Sequence, residues 1–168
     1  VYKRQADNSP FRAAIGWAVK EGITNGTSAT TFSPGNTCTT AQILTFLWRA
    51  NGSPNSNAAC PASDVAETSP FYKALCWANE KDLMTKGSGS TPCTRAAAVT
   101  YLWKLAGSPK MSVNSSFTDV PASADFAQAV AWAVEQGVTN GVSASEFAPD
   151  STCTRGQIVT FLYRNLLD

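Results

Sequence analysis

Along this chain the apolar positions fall into a helical rhythm that recurs. Phe11, Ala14, Ile15, Ala18 and Val19 follow the i, i+3, i+4, i+7, i+8 spacing of an amphipathic helix, and Phe126, Ala129, Val130, Ala133 and Val134 repeat it. Ser9-Pro10 and Ser69-Pro70 read as an N-cap followed by proline at the first helical position, with Gly22 and Gly137 as C-terminal stops. A polar loop follows, carrying ITNG or VTNG and then F-x-P. A second helix is expected to begin at a repeated threonine. Thr39 with Gln42, and Thr154 with Gln157, have the T-x-x-Q spacing of a capping box, whereas Thr94 keeps the cap and Ala97 loses the reciprocal partner. The runs that follow (ILTFLWR, AVTYLWK, IVTFLYR) are apolar round most of the circumference, so the second helices should be more buried than the first.

The rhythm comes from an internal repeat. Residues 11–49 aligned on 126–164 are identical at 22 of 39 positions. The middle copy, FYKALCWANEKDLMTKGSGSTPCTRAAAVTYLWK, follows the same plan with a central loop five residues shorter. Segments rich in Gly, Ser, Pro and Asn divide the units at about 1–53, 54–110 and 111–168. The expected fold is all-α: one compact domain, 1–168, of three tandem helix–loop–helix repeats. Three outer helices would surround three central ones with pseudo-threefold symmetry.

Composition narrows the chemistry. The 168 residues are 43% hydrophobic and 15% charged, with a net charge of +1 and no histidine. Ser (17) and Thr (18) make the polar surface mostly uncharged. Without histidine there is no Ser-His-Asp or Cys-His catalysis and no imidazole metal ligand. The charge is too small for nonspecific nucleic-acid binding. No apolar run reaches a membrane span, and VYKRQADNSP has no signal-peptide apolar region, so the chain is read as a piece of a longer secreted protein. No cofactor is expected, and the sequence sets no oligomeric state. Glycosidases need two placed carboxylates; Asp119, Asp125, Glu135, Glu146 and Asp150 recur as no matched pair across the repeats, so an enzyme is not expected.

The ordered motifs resemble the S-layer homology domain family. Its F-x-D-V, F-x-x-A-V-x-W-A, G-I/V-x-x-G, F-x-P and T-R-A-E/Q pattern appears as Phe117 to Val120, Phe126 to Ala133, Gly137 to Gly141, Phe147 to Pro149 and Thr154 to Gln157. The resemblance spans essentially the whole chain as three tandem copies. It implies a three-pronged helical domain that attaches proteins to the bacterial cell wall. The implied ligand is an anionic secondary cell-wall polysaccharide, often pyruvylated, bound in grooves between repeats. The Arg or Lys of the T-R-A-E motif and loop backbone would meet its acidic group.

The residues support parts of that reading. Arg95 and Arg155 follow capping threonines, where the helix dipole disfavours a cation by a few tenths to about 1 kcal/mol. Beside open helical N–H groups such a cation is suited to an anion, held bidentately; the alternative is an Arg paired with a nearby carboxylate or solvated. Trp17, Trp77 and Trp132 lie off the main apolar stripe, placed either to stack on a sugar or to pack on the next repeat. Asn25-Gly26 and Asn140-Gly141 are turn residues or glycan-approaching loops. Gln157 belongs to both the cap and the implied site.

The copies also differ. Thr40 replaces the Arg of repeat 1, and Lys86 stands where the other repeats have Asn25 and Asn140, so its amine is a candidate replacement charge. Tyr2 and Arg4 stand where repeat 3 has Phe117 and Asp119. Cys38, Cys93 and Cys153 recur before the capping threonines and read as buried thiols acting as small hydrophobes, or else as a threefold metal site. Cys60 and Cys76 have no counterparts and are a candidate disulfide. The alternative function is a diverged protein–protein module for surface assembly or adhesion.

Overall fold

The expected rhythm produces helices in a computed structural model that describes residues 9–113 and 116–166. They are α1 (Arg12–Lys20), α2 (Thr40–Ala50), α3 (Tyr72–Glu80), α4 (Arg95–Leu105), α5 (Ala127–Glu135) and α6 (Arg155–Leu166). Among the described residues no strand forms; four isolated bridges join the loops. Tyr2 and Arg4 lie outside the described residues.

The first helices start later than the Ser-Pro pairs suggested. Ser9 and Ser69 accept from Arg12 and Tyr72 through their own carbonyls, making a turn, and α1 and α3 begin after Phe11 and Phe71 without a side-chain cap. The serine hydroxyls instead accept from the amides of those phenylalanines, so the preceding turn consumes the cap. The second helices begin as expected. Thr39 and Gln42 exchange both capping-box bonds, as do Thr154 and Gln157, while Thr94 accepts from Ala97 without reciprocation.

Each first helix stops by the same device. Gly22 and Gly137 take φ of +70° and +68°, and the next residues, Ile23 and Val138, donate back to Ala18 and Ala133. In repeat 2 Asp82 makes this turn at φ +55°. The last basic residue of each second helix then reaches that stop: Arg49 donates to the Ile23 carbonyl, Lys104 to Asp82 and Arg164 to Val138.

Packing joins neighbouring repeats. α3 packs on α2, α5 on α4, and α1 on α6, so each outer helix rests on the central helix of the preceding repeat. The packing unit is therefore a second helix with the next repeat's first helix, and the third repeat closes on the first. Ile43, Leu44, Leu47, Val99, Leu102, Ile158 and Leu162 fill the centre. The loop phenylalanines Phe32 and Phe147 are fully buried.

At the axis, Cys38 donates its amide to Cys153, Cys153 to Cys93 and Cys93 to Cys38, at 2.8–3.0 Å. This ring of main-chain bonds places all three thiols in the core. They are free, and burial pushes Cys38 up to about 11, Cys93 to about 12 and Cys153 higher still. No group of ligating side chains suited to a metal ion forms among the described residues. They pack as small apolar groups.

Two glycines separate backbone strain from steric closure. A Cβ on Gly22 meets nothing within 4 Å, whereas on Gly141 it would sit 2.5 Å from the Phe117 ring and 2.6 Å from the Glu146 carbonyl. Gly22→Ala should cost about 1 kcal/mol through its positive φ alone, and Gly141→Ala about 2–4 kcal/mol. Urea unfolding of the two variants checks the order.

Candidate functional site at the repeat junctions

The first amides of a helix have no partner within it. In each central helix the next repeat supplies partners. Thr40 and Ala41 donate to the carbonyls of Thr91 and Gly89, at 2.8 and 3.0 Å. Arg95 and Ala96 donate to Ser151 and Pro149, at 2.9 and 3.0 Å. Arg155 and Gly156 donate to Asn36 and Pro34, at 2.9 and 2.8 Å. The helix-terminal anion site expected from sequence is thus already filled at these amides by carbonyl oxygens, and the third amide goes to the capping threonine.

The arginine side chains turn inward over the same loops. Arg95 is 3% exposed and Arg155 7%. Arg95 donates Nε to the Phe147 carbonyl at 2.9 Å and lies between the Phe147 and Phe161 rings, 4.9 and 5.6 Å from their centroids. Arg155 donates Nε to the Phe32 carbonyl at 2.9 Å and lies between Phe32 and Phe46, at 4.7 and 5.4 Å. Burial lowers both guanidinium pKa values, though both groups stay charged. Neither arginine is simply solvated, one of the alternatives the sequence left open: carbonyl and ring faces draw both into the junctions.

The two sites differ in what surrounds the charge. Asp119 acts electrostatically on Arg95, and the facing loop carries Glu146 and Asp150. Even so, Arg95 Nη2 is buried without a hydrogen-bond partner. Arg155 reaches Thr24 Oγ1 through Nη2 at 3.4 Å, and its facing loop, residues 24–36, contains no acid. Among the described residues no carboxylate pairs with Arg155.

The other candidates are distributed unevenly. Trp77 and Trp132 are buried in the core, at 1% and 5% exposure, so neither offers a ring face to a ligand; the preceding linkers hydrogen-bond to α3 and α5 at Cys76, Asn79 and Gln128. Trp17 is half-buried and meets Tyr163 of α6 edge-on, with centroids 5.7 Å apart, at the same junction as Arg155. Asn25 and Asn140 are exposed. Gly26 and Gly141, at φ +76° and +83°, give their amides to Thr24 and Thr139 hydroxyls. Gln157 Oε1 is occupied by the Thr154 amide. Lys86 is exposed; Met84, donating to Ala78 as Thr24 does to Ala18, shows that the threonine position falls at 84 in repeat 2, which sets Lys86 one residue beyond the asparagines. Thr40 is held by Thr91, through both its amide and its hydroxyl.

Two carboxylates shape the junction loops. Asp119 accepts from the Phe147 and Ala148 amides, and although burial opposes its ionisation these bonds hold its pKa below the ordinary value. Asp64 accepts from the Ser88 hydroxyl, the Gly89 amide and both donors of Ser90, which drive its pKa far down. The sequence signal for Asp64 was its Asp-Val pair, shared with Asp119-Val120 but preceded by Ala62 where repeat 3 has Phe117.

Removing the charge should be felt unequally. Arg155→Met loses bonds from a charged donor to Phe32 and Thr24 and should cost about 2–3 kcal/mol. Arg95→Met also removes an unpartnered donor, so it should cost about 1 kcal/mol less. Urea denaturation of both variants provides the comparison.

The family model described as the S-layer homology domain matches residues 6–44 and 116–159, the first and third repeats, and no curated protein matches the chain. The middle repeat, unmatched and shortened in its loop, has the same two helices and the same docking. The chain belongs to the S-layer homology domain family.

Proposed function

We propose that this chain anchors its parent protein to an anionic secondary polysaccharide of the bacterial cell wall, with the junction of the third and first repeats as the main seat. Domains of this family are generally cell-surface and cell-wall anchoring modules, and the family is one of non-catalytic binding domains. Among the described residues no helix is long and apolar enough to cross a membrane.

The observation that carries the reading is Arg155, a buried cation with no carboxylate partner among the described residues. A buried charge favours a counter-charge strongly, because water screens it poorly there. The bond to Thr24 is long, and a sugar acid or a ketal-linked pyruvate can replace it with a charge-assisted one. Asn25 and Gly26 follow Thr24 in the same loop, and half-buried Trp17 meets Tyr163 edge-on between the same two repeats, which supports the reading. The Arg95 junction already has Asp119 nearby and is the weaker seat. The Thr40 junction has neither arginine nor an inward lysine.

Pull-down with purified wall, before and after chemical removal of its secondary polymer, tests this. Binding should disappear with the polymer; binding that survives would favour the protein–protein alternative. Arg155→Met should weaken binding by at least about tenfold, and Arg95→Met less, with folding checked by circular dichroism.

A further inference from the structure

Repeat 2 differs from its neighbours in two ways that meet at one place. Its junction with repeat 1 is the one without an arginine: Thr40 occupies the position, and the contact rests on the Gly89 and Thr91 carbonyls. It is also the repeat with a private cysteine pair. Cys76 lies on the outer helix α3, where α1 has Gly16 and α5 has Ala131. Cys60 lies in the linker that crosses α3.

That linker is held against the helix at two points just before Cys60. Ser56 Oγ donates to the Cys76 carbonyl at 3.2 Å, and Asn79 Nδ2 to the Ala59 carbonyl at 2.9 Å. The bond at Ala59 sets the next residue, Cys60, against the face of α3 that carries Asn79 and, one turn earlier, Cys76; both thiols are free, and Cys60 acts electrostatically on Cys76. At the corresponding place in repeat 3 no thiol is present, and a cleft of about 220 Å³ opens between linker and helix, lined by Met111, Phe117, Val130, Ala131 and Val134.

From Cys60 a short chain of bonds leads to the arginine-less junction. The Pro61 carbonyl accepts from the Gly87 amide at 3.2 Å, and Asp64 Oδ1 accepts from the Gly89 amide at 2.7 Å. Gly89 in turn accepts from Ala41 at the start of α2. Fixing Cys60 to α3 therefore fixes the loop on which α2 docks.

We propose that Cys60 and Cys76 are oxidised to a disulfide at the cell surface, and that this bond gives the junction of repeats 1 and 2 the constraint that arginine gives the other two. The surface is an oxidising compartment in which such bonds persist. The oxidant is an external disulfide, RSSR. The half-buried Cys60 attacks it as thiolate, forming a mixed disulfide and releasing one RS⁻; Cys76 then attacks the Cys60 sulfur and releases the second. The two thiol protons pass to the departing thiolates, giving two RSH, and two electrons move from the cysteines to the oxidant. The three axial thiols, enclosed in the core, take no part.

Oxidised glutathione is the probe. After exposure of the folded protein, removal of the reagent and denaturation, N-ethylmaleimide should add three labels, and five after reduction. The oxidised form should melt about 6–12 °C above the reduced one, the shift expected for closing a loop of this length in a domain of this size. Cys60→Ser/Cys76→Ser should take three labels in either state with no redox dependence of Tm. Five labels after oxidation, or a bond whose reduction leaves Tm unmoved, would overturn the proposal. None of these readouts depends on wall binding, so failure here is distinct from failure of the anchoring reading.

Discussion

The opening amides of three helices, each docked on the loop carbonyls of the next repeat, are the constraint from which the rest of the structure follows. A helix N-terminus buried without partners would leave several donors unsatisfied, each at a cost of about 1–3 kcal/mol. Here the partners come from a different repeat at every junction, and the third junction returns to the first. These amides find their partners outside their own repeat, which argues for the closed trio as one folding unit. The ring of amide bonds among Cys38, Cys93 and Cys153 is the inner edge of the same closure.

That arrangement also explains why arginine sits where the helix dipole disfavours it. The dipole penalty is small, and the guanidinium recovers it by bonding a carbonyl that the docked loop has brought within 2.9 Å and by lying between two phenyl rings. One residue therefore serves two purposes. It fastens the loop, and it leaves a poorly compensated positive charge at the bottom of the junction. The amount left over depends on the facing loop, which is acidic in repeat 3 and uncharged in repeat 1. A threefold scaffold thus presents three chemically different junctions.

The helices, the second-helix caps, the glycine stops and the threefold plan were legible in the sequence because each rests on local spacing. The Ser-Pro starts were misread because Ser9 and Ser69 can cap a helix or close a turn, and the choice depends on where the following phenylalanine packs. The packing of α3 on α2 was not legible, since periodicity marks which face is buried and not which neighbour buries it. Arg95 and Arg155 were found as cations at helix starts, but their burial came from loops about 52 and 123 residues away. Trp77 and Trp132 were read as lying off the main apolar stripe, yet both are buried in the core, because one helix's periodicity does not show what packs against its flank.

The central claim is that the junction amides close the trio as a single cooperative unit. Native-state hydrogen exchange measures it directly, residue by residue. The amides of Thr40, Ala41, Arg95, Ala96, Arg155 and Gly156 should exchange only through global unfolding, at the same free energy as Ile43 and Ile158 in the core. Exchange of the junction amides at a markedly lower free energy, with the helix centres still protected, would show repeats that open independently and would contradict the account.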